Sequence, residues 1–278
     1  MPVIHDPDLV DVLMSASADD IGLLIDVITD SGEGRISLSS SVCRQLKAAM
    51  DEGVDEAARA LLAEELTRFG GNSLANLFRG GSGVPYRELL ADVVSHVGAE
   101  HNKGASCAEM EMAIIAKVFA QSVAQMKEED RSTLFNSLEG QGYLPGVGPM
   151  TLATLLASLG SSGLASYNMA TLVASATMSN LVGRGVMLAG STTLGRGLAV
   201  LAGPLGWAIT GIWTAFDLAS PAYRVTVPCV IQIGHMRQKM LLKSTCPGCH
   251  VVVADDSNFC GKCGTRLTPT THEQGAGR

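Results

Sequence analysis

Four cysteines near the C-terminus have the residue type and the spacing of a metal site. They form two Cys-x-x-Cys pairs separated by ten residues: Cys246, Cys249, Cys260 and Cys263. Each pair can turn two thiolates toward one ion, and four thiolates satisfy the tetrahedral coordination that Zn²⁺ prefers. Four protein ligands leave no open coordination position, so the spacing predicts one structural Zn²⁺ ion. A redox-active dithiol is the alternative.

The residues around these cysteines predict a small β zinc ribbon over 244–268. Residues 251–253 are three valines that suit a strand, and Gly264 suits the tight turn after the second pair. A module of this size cannot bury a core of its own, so the metal must hold it together. It carries few cations, which favours contact with protein over nucleic acid. The tail at 269–278 is predicted to be disordered.

The rest of the sequence contains no recognisable catalytic motif. None of the six histidines lies in a His-Glu-x-x-His motif, and no Gly-x-Ser-x-Gly motif is present. The glycine-rich stretch 69–83 lacks the Lys-Ser or Lys-Thr that completes a phosphate-binding loop. The sequence therefore predicts that the protein is not an enzyme.

The net charge of −7 is divided unequally along the chain. Residues 1–139 carry 23 acidic and 11 basic side chains, a net charge of −12, whereas residues 140–278 carry 4 acidic and 9 basic ones, a net charge of +5. An acidic first half disfavours nucleic acid as a partner, because phosphates require Lys and Arg. A cationic and apolar second half suits an anionic membrane surface.

Apolar periodicity predicts that residues 1–139 form an acidic, amphipathic helical domain. Ser17 precedes a stretch with apolar residues at i, i+3, i+4 and i+7, which is the pattern of one helix face. Further helices are predicted over about 54–69, after Pro85 and over about 128–138. Ser106 and Glu109 form a capping box that predicts another helix start.

The middle of the chain is almost uncharged. Residues 140–183 contain no charged side chain, and between 140 and 223 only Arg184, Arg196 and Asp217 are charged. A charge that is buried or inside a membrane needs a partner, so Asp217 is expected to pair with Arg196 or with Arg224. The composition predicts an apolar, Gly/Ala-rich helical region over 140–243.

Within this region, residues 197–216 are long enough to cross a membrane. They are 20 uncharged residues, and as a helix they would be about 30 Å long. Trp207 and Trp213 are the only tryptophans of the chain, and tryptophan favours membrane interfaces. Gly203 and Gly206 weaken the helix. We expect this stretch to form one arm of a hydrophobic helical hairpin.

Basic residues follow this hairpin with no acidic residue between them: Arg224, Arg237, Lys239 and Lys243. This is the juxtamembrane pattern of a cytoplasmic membrane face. Three arrangements of the hairpin remain open: it spans a membrane, it is buried under the acidic helices, or it switches between these states. A homo-oligomeric contact is a fourth.

Cysteine usage and the N-terminus predict a cytoplasmic location. Seven is an odd number of cysteines, and Cys43, Cys107 and Cys229 are scattered, which argues against a secreted disulfide framework. The first residues contain no basic segment followed by an apolar one, so no signal peptide is predicted. We expect a cytoplasmic protein that can touch the inner face of the cytoplasmic membrane.

Three stretches of the sequence resemble a known family. They are DPDLVDVLMSASADDIGLLIDVITDSGEGRISLSS at 6–40, FGGNSLANLFRGGSGVPYRELLADV at 69–93 and SPAYRVTVPCVIQIGHMR at 220–237. Together they resemble the YaaW-like family of uncharacterised bacterial proteins over about residues 6–240. The resemblance implies a helical fold and supplies no catalytic residue. The C-terminal cysteine cluster and the more apolar middle depart from the family's pattern.

These features predict a mostly α protein: a helical bundle with a hydrophobic helical hairpin and a small C-terminal β zinc ribbon. The predicted function is that of a non-enzymatic protein whose hairpin associates with a membrane or inserts into it under some condition, as in a stress or defence effector. The alternative is a soluble helical adaptor or assembly chaperone whose zinc ribbon docks a protein partner. Membrane lipids and proteins are the expected partner classes, and self-association is compatible with both functions.

Overall fold

The computed structural model describes most of the first half of the chain and selected segments of the second. The described residues are 6–31, 38–70, 83–140, 151–160, 163–182, 205–206, 208–209, 223–243, 246, 248, 253 and 258–267. They contain ten named helices: α1 (Pro7–Ser15), α2 (Ala18–Thr29), α3 (Ser40–Glu52), α4 (Glu56–Gly70), α5 (Tyr86–Val97), α6 (Cys107–Gln125), α7 (Glu128–Gly140), α8 (Leu152–Ala157), α9 (Leu164–Val182) and α10 (Tyr223–Lys243).

The mostly helical fold class is confirmed, whereas the β ribbon is not shown. Over the described residues the only β pairing is one antiparallel bridge between Phe259 and Arg266. A single bridge does not make a strand, and the three valines predicted as a strand are described only at Val253.

Local capping residues begin the helices where the sequence predicted. The Ser17 side chain accepts a hydrogen bond from the backbone N–H of Asp20 at the start of α2. Both hydrogen bonds of the capping box between Ser106 and Glu109 are present at the start of α6. Pro85 directly precedes α5. The side-chain caps at Ser17 and Ser106 satisfy backbone N–H groups that have no partner inside the helix, which explains why these two starts can be predicted locally.

Two helices from the second half of the chain lie at the centre of the bundle. α10 packs against α1, α2, α4, α5, α6 and α9. Every residue of 166–178 in α9 and of 225–238 in α10 is buried. A helix without any charged side chain, such as α9, needs such surroundings. One hydrophobic core includes side chains from both halves, so the acidic helices and the apolar helices pack as one body.

α6 and α10 approach each other closely at a glycine. A Cβ atom added to Gly234 would lie 2.9 Å from Cδ1 of Ile115 and 3.2 Å from Cβ of Glu111. Both distances are shorter than an ordinary carbon–carbon contact of about 3.5–4.0 Å. The missing side chain therefore lets α10 pack directly against the middle of α6.

We expect Gly234→Ala to lower the free energy of unfolding by about 1–3 kcal/mol, because the added methyl group overpacks the contact between α6 and α10. Gly22→Ala in α2 is the matched control. There a Cβ atom would lie 3.8 Å from Cε of Met50, an ordinary contact. The control should gain about 0.5–1 kcal/mol from better helix propensity. Urea unfolding of both variants measures the difference, and equal effects would contradict the close approach.

Candidate metal centre and buried charge network

Three cysteine sulfurs converge at the C-terminal end of the described residues. The Sγ atoms of Cys246, Cys260 and Cys263 all lie within 4.8 Å of one another, and those of Cys246 and Cys263 are 3.5 Å apart. Cys246 and Cys260 are buried, while Cys263 is exposed. Cys249, the fourth predicted ligand, lies outside the described residues. The cluster formed by the three described cysteines could hold a metal ion.

A tight turn brings two of these sulfurs together. The N–H of Cys260 donates to the carbonyl of Thr265 at 2.8 Å, and the N–H of Gly264 donates to the carbonyl of Cys260 at 2.9 Å. Gly264 has a φ of +73°, a conformation that glycine adopts without a steric penalty. The tight turn predicted at this glycine is therefore confirmed.

The surroundings of the sulfurs suit a thiolate–metal centre. The N–H of Gly248 donates to Sγ of Cys246 at 3.3 Å, and the Thr265 hydroxyl lies 3.0 Å from Sγ of Cys263. Hydrogen bonds to a thiolate favour its charged, metal-binding form. Four sulfurs around tetrahedral Zn²⁺ at about 2.3 Å would be about 3.8 Å apart. The described sulfurs and their donors therefore fit a zinc ion, and Cys249 would complete the set.

A second cluster of ionisable groups lies deep in the helical bundle. Glu111 on α6 is fully buried and binds Arg237 of α10 through two hydrogen bonds, from Nε at 2.7 Å and from Nη2 at 3.0 Å. The hydroxyl of Tyr86 donates to the same carboxylate at 2.8 Å. Burial raises the pKa of Glu111, and the nearby Arg237 opposes this shift.

This network ties four helices together. Nη2 of Arg237 also donates to the backbone carbonyl of Asp8 in α1 at 2.7 Å. The backbone N–H of Tyr86 donates to the Asp6 carboxylate at 2.6 Å, and Asp6 in turn caps α1. The hydrogen bonds thus connect α1, α5, α6 and α10 around one buried carboxylate.

A second ion pair joins α2 to α10. Nζ of Lys239 lies 2.7 Å from Oδ2 of Asp20, and the Ser17 hydroxyl donates to the same oxygen at 2.6 Å. Burial by itself would raise the pKa of Asp20, but these two hydrogen bonds and the charges of His235 and Lys239 outweigh it, so that this pKa is lowered.

The structure corrects the role predicted for two juxtamembrane cations. Arg237 is buried against Glu111, and Lys239 is paired with Asp20. Because both cations are held by acidic groups of the first half of the chain, they do not form a surface for lipid headgroups. Arg224, at the start of α10, is exposed. Lys243 is the last residue of α10.

Sequence reasoning missed Glu111, although a signal was present. Glu111 precedes Ile114, Ile115 and Val118 at spacings of three, four and seven residues. This is the apolar face of α6, so a carboxylate there must be buried. A buried carboxylate requires a cationic partner or a proton. That partner, Arg237, lies 126 residues away along the chain.

Most residues of the predicted hydrophobic hairpin lie outside the described residues: Arg184, Arg196, Gly203, Trp207, Trp213 and Asp217. Gly206 is described, and its carbonyl accepts a hydrogen bond from Nδ2 of Asn180 at 2.7 Å. Leu205 and Ile209 beside it are fully buried. This part of the hairpin therefore packs against the C-terminal end of α9. Of the helices that the structure describes, none combines the length and the apolar character needed to cross a membrane.

We expect acid to destabilise the protein through His235. Burial lowers the pKa of this histidine from 6.5 to about 4. The unfolded chain therefore binds a proton between these two pH values and the folded chain does not. The contribution of the neutral His235 side chain to stability is fully present above pH 6.5. As the pH falls through this window, the free energy of unfolding decreases by about 3 kcal/mol for a shift of this size.

Urea unfolding between pH 7 and pH 4 measures this loss, with His235→Gln as the control. The variant should show a flatter pH dependence than the natural chain over the window. Asp20 and Lys239, which face His235, remain in the control. The lowered pKa of Asp20 lies below 3.8 and thus outside the window. An equal slope in the two proteins would contradict the assignment.

The described residues define the class as a mostly helical bundle with ion pairs buried in its core, to which this chain adds a C-terminal cysteine cluster. The chain belongs to the UPF0174 family. It is 36% identical over 178 residues to a UPF0174 protein of Helicobacter pylori strain J99, covering 64% of this chain and 70% of the relative.

Two further relatives support the same assignment. A UPF0174 protein of Helicobacter pylori strain 26695 is 35% identical and covers 66% of this chain and 88% of the relative. UPF0174 protein YaaW of Escherichia coli K12 is 29% identical and covers 84% of this chain and 95% of the relative. The resemblance to YaaW-like proteins is thereby confirmed. No protein-family model and no solved structure matches the chain.

Proposed function

We propose that the protein is a cytoplasmic, non-enzymatic adaptor that binds one structural Zn²⁺ ion and docks a protein partner through its C-terminal cysteine module. The observation that carries this proposal is the exposure of Phe259. Its side chain is 61% exposed, the highest value among the exposed large apolar residues that the structure describes, and it directly precedes Cys260. A metal centre beside it would hold this aromatic side chain in a fixed position.

The surroundings of Phe259 indicate the chemistry of the partner. Arg266 faces it across the antiparallel bridge, and both Arg266 and Lys262 are exposed. Aromatic and arginine side chains are enriched at the energetic centres of protein interfaces. An apolar protein surface bordered by carboxylates would complement these three residues. We name this surface, formed by Phe259, Lys262 and Arg266, the docking tip.

The buried network supports a non-enzymatic role. Three groups of the bundle that could take part in catalysis, Glu111, Tyr86 and Arg237, are bound to one another. All three are buried, so a substrate cannot reach the carboxylate without opening the core. At the C-terminus, four thiolates around zinc leave no position for water or substrate.

Copurification from the source organism tests this proposal with two matched variants. Phe259→Ser should lose the bound partner and retain zinc, because Phe259 is not a ligand. Leu181→Ser removes another exposed apolar residue, 41% exposed at the end of α9, and should retain the partner. With the purified partner, Phe259→Ser should raise Kd at least about tenfold. Equal binding by the two variants would contradict the proposal that the docking tip binds the partner.

Membrane association remains a second candidate function, and one observation favours it. α9 contains no charged side chain along its whole length, so it could enter lipid without burying a charge. In this alternative the hairpin with residues 197–216 would leave the bundle and insert from the cytoplasmic face.

Flotation with anionic liposomes at pH 7 and pH 5 distinguishes the two functions. The adaptor should stay at the bottom of the gradient at both pH values. If the chain floats and Ala208→Arg abolishes flotation, membrane insertion replaces the adaptor function, because an arginine in a membrane-inserting helix is costly.

A further inference from the structure

We propose that Cys246 and Cys263 form an oxidation site, in which hydrogen peroxide converts their two thiolates into a disulfide and zinc is released. The inference rests on the zinc binding of the proposed function. It adds that this metal centre is sensitive to peroxide and that one specific pair of cysteines is oxidised.

The geometry favours this pair. The two Sγ atoms are 3.5 Å apart, and a disulfide bond of about 2.05 Å requires them to approach by about 1.5 Å. Cys263 is exposed, so peroxide can reach it directly. Cys246 is fully buried behind it. Cys263 is therefore the residue that reacts with peroxide first, and Cys246 is the one that resolves the intermediate.

The hydroxyl of Thr265 contacts the sulfur of Cys263. Its Oγ1 lies 3.0 Å from Sγ of Cys263, within hydrogen-bond distance. This contact helps to fix the direction of the exposed sulfur.

The other described thiols are protected from oxidation. Cys43, Cys107 and Cys229 are all buried in the helical bundle. Burial, with the charge of Asp8 as a second cause, raises the pKa of Cys107 to about 12. A protonated, buried thiol reacts poorly with peroxide. Oxidation is therefore directed to the C-terminal cluster.

The chemistry balances in two steps. The Cys263 thiolate attacks one peroxide oxygen, the O–O bond breaks, and hydroxide leaves to give a sulfenic acid. The Cys246 thiolate then attacks the oxidised sulfur, the S–S bond forms and a second hydroxide leaves. Two protons convert the hydroxides into two waters; the thiolates lose two electrons and the peroxide gains them. A zinc ion bound at this cluster would lose two of its thiolate ligands to the disulfide and would be released.

The test uses the full-length, zinc-loaded chain, treated with hydrogen peroxide in the presence of a chromogenic zinc chelator. We expect one zinc ion to be released per chain, with a mass loss of two hydrogens from the chain. Non-reducing peptide mapping should find a disulfide between Cys246 and Cys263. Cys229→Ser is the matched control at a buried thiol outside the cluster, and it should release zinc at the same rate as the natural chain.

Other outcomes overturn the inference. One is that the chain keeps its zinc in the presence of peroxide. The other is that zinc is released but a different pair of cysteines forms the disulfide. Cys263→Ser should slow peroxide-driven zinc release at least about tenfold. If that variant does not load zinc, peptide mapping of the zinc-loaded natural chain after peroxide treatment tests the same disulfide. A chain that never binds zinc but forms this disulfide refutes the proposed metal binding and leaves the oxidation site supported.

Discussion

Replacing Arg237 with alanine is expected to lower the free energy of unfolding by about 3–5 kcal/mol, because it leaves a carboxylate buried without its cation. Glu111 is fully buried, and two of its hydrogen bonds come from Arg237. The variant also removes the donor to the carbonyl of Asp8 in α1. Urea unfolding followed by circular dichroism at pH 7 measures the effect.

Two controls distinguish the cost of leaving a buried carboxylate unpaired from the cost of losing an arginine or an ion pair. Arg131 forms an ion pair with Glu128 at the exposed start of α7, and Arg131→Ala should cost no more than about 1 kcal/mol. The double variant Glu111→Leu with Arg237→Met replaces the buried pair by apolar groups and should lose less than Arg237→Ala. If Arg237→Ala were as mild as Arg131→Ala, the buried network would not stabilise the bundle.

Replacing Cys260 with serine is expected to abolish binding of the metal ion and to unfold the C-terminal module. Apparent binding free energies of structural zinc in small modules are about 10–16 kcal/mol at pH 7, and such modules fold only with their metal. The described part of this module has a core of only Cys246, Cys260 and Leu267, with Val253 packed against it. Metal analysis should find about one zinc per natural chain and none in the variant.

Hydrogen exchange locates the unfolding. Amides in 258–267 should lose their protection, while those of α1–α10 should keep theirs, because no described residue of the cysteine module belongs to the large core of the bundle. Cys43→Ser, at a buried thiol of α3, should retain the metal. Loss of the helical signal in Cys260→Ser would show that the module is an integral part of the bundle.

Features that depend on neighbouring residues were predictable. The capping box at Ser106 and the cap at Ser17 place helix starts, because the bonds span three residues. The turn at Gly264 follows from a backbone conformation that glycine favours. The convergence of three of the four predicted cysteine ligands follows from their short spacing. None of these features requires knowledge of distant parts of the chain.

Features that depend on distant residues were not predictable. The sequence pattern assigned Arg237 and Lys239 to a membrane surface, because they follow an apolar stretch and no acidic residue lies between them. Their partners, Glu111 and Asp20, lie 126 and 219 residues away in the chain. Hydropathy alone does not distinguish a helix surrounded by lipid from one surrounded by other helices.

The amino-acid sequence thus specifies the helices, the cysteine pairs and the separation of acidic and apolar halves, since composition and local hydrogen bonding determine them. Only the tertiary structure shows that α9 and α10, from the second half of the chain, share one core with the acidic helices of the first half. The physical reason is that burial of a charge is acceptable only where a partner is supplied. For Arg237 and Lys239 that partner is supplied by packing of the two halves against each other.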